Sequence, residues 1–445
     1  MSIFNLPTES LAQDSGISTI RRDQYSSVSI INPGGGGVAA FEFASPANSW
    51  FCPRLSYFTF KFHITKGALQ APLEVYDSTI GADVHTSLIQ GGVQFRSLPA
   101  ANCVQGFSHM LNGVQIENNT AVPEVSALVA RTQMTNGFKR STASVYRFEG
   151  MHDQANSNSI APGGALQPWN GSQMEFEACF VPPTGLWASE AVIPGGRHRI
   201  ALTLNQNLRS RVLQMGLARE ALVNGSYVSV LLSSITLNVC HMVPDFIVAI
   251  PRQVVISIHP LSLVMSSVAA GSGASTHTLS VPPSTDRLFV AMNLATSGTT
   301  CQYQDGSATF EPSFNSLQVQ YAGQSVPAGG YHDLAGGHPS RSTAEPFLDY
   351  QQTAGKLYSE GSSTDDLDGW ARNPVYGFSF ESPPADTSTS VQVRMSRNAT
   401  SLVEGSSVAV QAAANLLCFS QAHQAIVINY TQDGLVEGVS AVVEL

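Results

Sequence analysis

The stretch LSYFTFKFHI, residues 55–64, restricts the fold more than any other part of the chain. Phe58, Phe60, Phe62 and Ile64 fall on one side, and Tyr57, Thr59, Lys61 and His63 on the other. A period of two held over such a run marks a β-strand with one buried face. The same alternation recurs along the chain. In RHRIALTLN, Ile200, Leu202 and Leu204 share a face; in SSITLNVC, Ile235, Leu237 and Val239 do. RQVVISI, NSLQVQY and SVQVRMS repeat it further on. Turn signals separate the runs, with Pro-Gly-Gly at 194–196 and Asn-Gly at 170 and 224. Many strands with one apolar face each predict an all-β chain of packed sheets.

Helical periodicity is scarce, and its two appearances are spaced alike. The segment FSHMLNGVQIENNTAVPEV runs from a strand through Asn112-Gly113 to Pro123. After that proline, Val125, Leu128, Val129 and Thr132 stand at i, i+3, i+4 and i+7, which predicts a helix. Roughly 210 residues later NSLQVQYAGQSVPAGGY runs from a strand through Ala322-Gly323 to Pro327. Its tail reads as an exit into a loop. A second helix is predicted to start at Pro346, a favourable first helical residue, with Phe347, Tyr350, Ala354 and Leu357 on one face. One ordered series used twice predicts two tandem β-sandwiches of about 200 residues each. The expected division is an arm over 1–40, a first sandwich over 41–243 and a second over 244–445. The arm is polar and carries a flexible joint, INPGGGG at 31–37. No Lys-Ser/Thr follows those glycines, so they do not read as a phosphate loop.

Charged residues make up only 12% of the 445-residue chain, against roughly 25% in ordinary soluble proteins. Small polar residues replace them, which suits a surface made for extensive protein contact. The net charge is −10, and no Lys/Arg run exceeds two residues. Phosphate binding needs clustered cations, so direct packaging of nucleic acid by a basic arm is not expected. MSIFNLPTES has neither the basic nor the apolar region of a signal peptide. The longest apolar stretch, VPDFIVAIPRQVVISIHPLSLV, is broken by Pro251, Arg252 and Pro260 and does not read as a membrane span.

A search for chemistry finds none. Cys52, Cys103, Cys179, Cys240, Cys301 and Cys418 contain no CxxC pair and read as buried free thiols. Eleven histidines are scattered without HxH or HExxH; His63 and His241 read as packed or edge residues. No GxSxG elbow occurs. In TDDLDGW, Asp365, Asp366 and Asp368 lack EF-hand spacing and read as a solvated loop leading to a buried Trp370. Glu175 and Glu177 share one strand face, but a glycosidase pair needs a set separation that sequence does not supply. The chain is therefore expected not to be an enzyme, with no catalytic, cofactor-binding or metal-binding residue and no cofactor.

Several pieces, in order, resemble a known family. They are SWFCPRLSYFTFKFHI, FSHMLNGVQIE, AVIPGGRHRIALTLN and SYVSVLLSSITLNVCHMVPD in the first half. In the second half they are DRLFVAMN, NSLQVQYAGQSVPAGGY and EPFLDYQQTAGKLYSEGSSTDDLDGWARNPVYGFSFE. Their order resembles the double jelly-roll major capsid proteins of the adenovirus-type lineage, in particular those of virophages and Polinton-like viruses. The resemblance implies two tandem eight-stranded jelly-roll sandwiches with short helices in inter-strand loops. It implies homotrimeric, pseudo-hexameric capsomers that tile an icosahedral shell, located in the virion. The partners it implies are further copies of the chain and penton or minor capsid proteins, with genome contact left to other proteins or an internal membrane. On this reading the arm over 1–40 orders on assembly. The helix-bearing segments after Pro123 and Pro346 are expected at one end of the sandwich, facing solvent or trimer neighbours. Three rivals remain. One is a tandem β-sandwich carbohydrate-binding protein using Trp50, Trp169, Trp187 or Trp370 as sugar platforms. Another is a single jelly-roll capsid protein with a projecting domain. The last is an amidase or glycosidase on paired rolls.

Overall fold

The computed structural model describes residues 17–29, 31–66, 93–96, 98–134, 173–183, 185–215, 228–244, 250–271, 273–283, 285–295, 310, 314–321, 323–334, 341–355, 367–372, 374–380, 390–397, 413–431 and 436–443. The first half holds β1 (Ile17–Ser26), β2 (Val38–Lys66), β3 (Val93–Phe95), β4 (Val104–Leu111) and β5 (Val114–Asn119). It continues with β6 (Gln173–Phe180), β7 (Ile193–Leu204), β8 (Leu213–Met215) and β9 (Val228–Pro244). Its helices are α1 (Pro99–Cys103), α2 (Val122–Thr132) and α3 (Leu208–Val212).

The long strand β2 supplies both layers of the first sandwich. Val38–Ser45 pair with β7, while Tyr57–Lys66 pair with β9 and Phe58–Thr65 with β6. The register breaks between Ser45 and Trp50 and again between Cys52 and Tyr57. Pro46 and Pro53 sit in those breaks. Proline has no N–H to give to a ladder, so it belongs at such irregularities. The bends bring the strand back on itself. A straight strand would hold Phe41 and Phe58 about 56 Å apart, yet their ring centroids are 5.4 Å apart. Phe58, Phe60 and Phe62 are each 0% exposed, so the face predicted apolar is the buried one. Each buried phenyl contributes roughly 1.5–3 kcal/mol. The ladder runs β1-β9-β2-β7-β4-β5.

The second half holds β10 (Gln253–Ile258), β11 (Leu261–Val268), β12 (Ala274–Ser280), β13 (Thr285–Leu294), β14 (Phe314–Tyr321) and β15 (Gln324–Tyr331). After α4 (Arg341–Thr353) and α5 (Leu367–Arg372) come β16 (Tyr376–Ser379), β17 (Ser390–Arg397), β18 (Ala414–Ala422), β19 (Gln424–Tyr430) and β20 (Val436–Val443). They form three sheets, β10-β19-β20, β11-β18-β13-β16 and β12-β17-β14-β15. Among the described residues no strand before Pro244 pairs with one after it.

The internal repeat is visible in burial. β4 and β14 bury the same positions: Phe107, His109 and Leu111 in one, Leu317, Val319 and Tyr321 in the other. Each turns through its glycine into a partner strand. Asn112 and Gly113 both have positive φ, 49° and 85°, as a tight two-residue hairpin requires. The tail after Gly323 is not the loop exit expected. It is β15, paired to β14 at Val319↔Val326 and Leu317↔Tyr331 with a bulge between. β15 lies at the sheet edge, where a proline costs no ladder bond.

Four other expectations change. Residues from 17 onward are not a free arm, because β1 pairs with β9 from Ile17↔Pro244 to Ser26↔Thr236. The glycine joint is docked: the N–H of Gly36 bonds the Asn205 carbonyl at 2.9 Å, and a Cβ on Gly35 would meet that oxygen at 2.5 Å. The second helix starts at Arg341, not Pro346, which sits inside it with its ring buried. The helix after Pro123 does not face solvent. In α2 every residue except Glu124 is buried. Its Val125, Leu128 and Val129 pack in the core of the second half with Leu288, Phe310 and Leu317. In return, Val254, Ile256, Ile426 and Ile428 of β10 and β19 pack in the core of the first. The two halves are thus fused by exchange of apolar elements.

Candidate functional site

The described residues hold no constellation suited to catalysis. No group of three His, Cys, Asp or Glu side chains among them is placed to hold a metal ion. An open depression lined by Gly36, Gly37, Gln105, Thr203, Asn205 and Arg211 offers no nucleophile and no base. Glu175 and Glu177 are exposed on β6, where they face β2. There Lys61 sits 3.3 Å and His63 3.7 Å from Glu175. This is a solvated cross-strand charge ladder, not a cleft. Asp365 and Asp366 lie outside the described residues, as do Trp169 and Cys301. The other three tryptophans, Trp50, Trp187 and Trp370, are no more than 1% exposed, so they offer no sugar platform. Trp370 is buried as expected, its indole N–H donating to the Val375 carbonyl at 2.8 Å.

One polar cluster escaped the sequence reading. His109 on β4 and His198 on β7 are buried side by side, Nε2 to Nδ1 at 3.1 Å. The indole N–H of Trp187 donates to His109 Nδ1 at 3.3 Å. An indole only donates, so His109 accepts at Nδ1, carries its proton on Nε2 and donates to His198 Nδ1. His198 therefore carries its proton on Nε2. Burial pushes His109 down to about 3, and burial with the neighbouring His109 pushes His198 well below its ordinary value. His241 on β9 is buried nearby, its ring edge-on to Phe43 and 3.6 Å from the Asp23 carboxylate of β1. The pair is buried, and among the described residues no serine or carboxylate hydrogen-bonds to it. It acts as a hydrogen-bonded core pin. No sequence motif announces it, since the rings come from β4, from β7 and from the short 3-10 turn Gly185–Ala188 that carries Trp187.

The distinctive surface lies along the sheet edges. Among the described residues β10, β11, β12 and β15 are each the last strand of a sheet, and none contains Asp, Glu, Lys or Arg. Edge strands that stay in water are ordinarily guarded by charge. Val255 on β10 and Met265 on β11 are exposed, at 46% and 56%. On the side away from the core, β10 and β19 present Gln253, Val255, Ser257, Val427 and Asn429, all uncharged, while β20 carries the exposed Glu437. Uncharged open edges over a weakly charged surface fit a chain that is covered by neighbours.

No family model matches the chain, and no curated protein does. Solved structures do. A chain of the Sputnik virophage structure is similar with a TM-score of 0.66 at 13% identity, over 96% of this chain and 89% of that one. The mavirus major capsid protein is similar with a TM-score of 0.58 at 10% identity, over 99% and 94%. The Faustovirus major capsid protein gives 0.50 at 9%, over 92% and 90%. These matches span both halves of the chain, so the chain has the double jelly-roll fold of viral major capsid proteins.

Proposed function

We propose that the chain is a viral major capsid protein, a non-enzymatic building block of an icosahedral virion. The observation that carries this is the match to two viral major capsid proteins across nearly the whole of both chains. The uncharged edges of β10, β11, β12 and β15 support it independently, since an exposed edge of that kind invites a partner chain. The subunit is a homotrimer: three chains of two rolls give a six-lobed capsomer that closes under threefold symmetry and tiles a facet. The rolls divide close to residue 244, a division supported by the segregation of strand pairing there. Net charge of −10 and the lack of a basic cluster favour genome contact through other components, with penton or minor capsid proteins as further partners.

The test is the mass of the purified chain in solution. Three chains of 47.3 kDa give a particle of about 142 kDa by light scattering. A stable monomer at micromolar concentration would overturn the reading. The carbohydrate-binding rival has no support from the buried tryptophans. The single-roll rival is not favoured either, because the strands of the second half build most of a second sandwich core.

A further inference from the structure

Cys52 on β2 and Cys240 on β9 stand directly opposite each other in the antiparallel ladder. Directly opposed residues lie about 4.5–5.5 Å apart at Cα, within the span a disulfide bridges. Their thiols share a hydrogen bond. The pair sits at the second break in β2, where Ser56 holds the strands in place. The Ser56 hydroxyl donates to the Cys52 carbonyl at 2.7 Å and accepts from the Cys240 N–H at 2.8 Å. On the other side of β9, Arg22 of the edge strand β1 is the register partner of Cys240, and its side chain hydrogen-bonds the thiol. Both cysteines are reduced and buried.

We propose that Cys52 and Cys240 form a redox-closable staple, oxidised by a small-molecule disulfide and locking β2 to β9. The two thiols are differentiated for the task. The hydrogen bond from Cys52 lowers Cys240 below its ordinary thiol value, with Arg22 adding to this against burial. The same hydrogen bond, then burial, raises Cys52. Cys240 lies against the edge strand β1 with the cationic Arg22 as its register partner, so it is the attacking sulfur and Cys52, one strand further in, the resolving one. The Cys240 thiolate attacks one sulfur of the reagent, the reagent's S–S bond breaks, and one thiolate leaves. Cys52 then gives up its proton to solvent and attacks Cys240 Sγ, and the second thiolate leaves. Two protein thiols are oxidised to one disulfide, and one reagent disulfide is reduced to two thiols. Access follows from local opening of β1, which among the described residues pairs along one side only. The bond would close a loop of roughly 190 residues, the long-loop case in which a cross-link restricts the unfolded chain most. The chemistry belongs to a single roll and does not depend on assembly. Its use does rest on the capsid reading: a shell would be stapled only after leaving a reducing compartment.

The experiment uses the full chain, purified in dithiothreitol and moved into oxidised glutathione at pH 8. Unreduced peptide mapping by mass spectrometry should show Cys52 and Cys240 in one linked pair, with Cys103 and Cys418 still thiols. The melting temperature should rise by about 5 °C and fall back on reduction. Cys52→Ser, which keeps a hydrogen-bond donor beside Cys240, should stop at a glutathione adduct on Cys240. Cys240→Ser should leave Cys52 unmodified. Where a variant fails to fold, the linked peptide and the reversible shift in the unsubstituted chain still decide. Thiols that persist at both positions, or a bond from either to another cysteine, overturn the proposal. The particle mass is read separately, so failure of the staple and failure of the trimer are distinguishable.

Discussion

The phenol of Tyr350 donates a hydrogen bond to the main-chain carbonyl of Arg131, 3.2 Å away and 219 residues back in the chain. It joins the two helices that the internal repeat places in equivalent positions, α2 of the first roll and α4 of the second. Tyr350 is buried, and its ring also packs near Trp370, centroids 6.4 Å apart. The bond therefore fastens one roll to the other from inside. Tyr350→Phe keeps the ring and removes the donor, leaving a buried carbonyl without it. The expected loss is about 1 kcal/mol, read as a lower urea midpoint at unchanged slope. An unchanged midpoint would mean that the fusion rests on apolar contact alone.

The close approach of α4 to the sheet depends on one missing side chain. A Cβ on Gly377 of β16 would meet Thr353 Cβ at 2.7 Å and Tyr350 Cα at 3.0 Å. The second of these is backbone and cannot rotate away. Gly377→Ala should push α4 off β16 and cost about 1–3 kcal/mol. Combined with Tyr350→Phe, the losses should fall short of additive, because displacing α4 already strains the hydrogen bond. A double-mutant cycle in urea reads the difference.

Much of this arrangement was legible in the sequence, and the exceptions share a cause. The apolar faces of Phe58–Phe62 and of Leu317–Tyr321 are buried where period-two alternation put them. The helix after Pro123 exists where its spacing put it, but periodicity says nothing of which core receives the face, and α2 enters the other roll. β1 was missed because an edge strand is half exposed, so Arg21, Arg22 and Gln24 blur its pattern. β15 was missed because proline and glycine read as punctuation, although at a sheet edge they are compatible with a strand. His109 illustrates the limit best. It occupies in β4 the buried position that Val319 fills in β14. Only register brings it to His198, and register is a long-range property.

That histidine pair makes stability depend on pH. Both rings are neutral when folded, with folded values pushed below the ordinary 6.5, His109 to about 3. A depressed histidine contributes stability that is fully present above the unfolded value and is lost as pH falls toward the folded one. The window is therefore pH 6.5 down to about 3. Each pH unit within it costs up to about 1.4 kcal/mol per buried ring. Urea midpoints should fall steadily from pH 7 to pH 4. His109→Gln, which still places an amide beside His198, should flatten that slope even if it lowers the midpoint at pH 7.

Deleting residues 1–30 separates a free arm from an integral strand. An arm that orders only on assembly could be removed without loss to the isolated subunit. Nine of the ten residues of β1 are in register with β9, and Tyr25 packs its ring 5.4 Å from Phe43. It also brings Asp23 to His241 and Arg22 to Cys240. Its removal opens the β9 edge and uncovers both of those buried groups. The truncated chain should melt several degrees lower, and Cys240 should react with a maleimide at least about tenfold faster than in the full chain, as expected when opening no longer limits access. Unchanged melting and unchanged thiol reactivity would show that β9 needs no cover and that the strand belongs functionally to the arm after all.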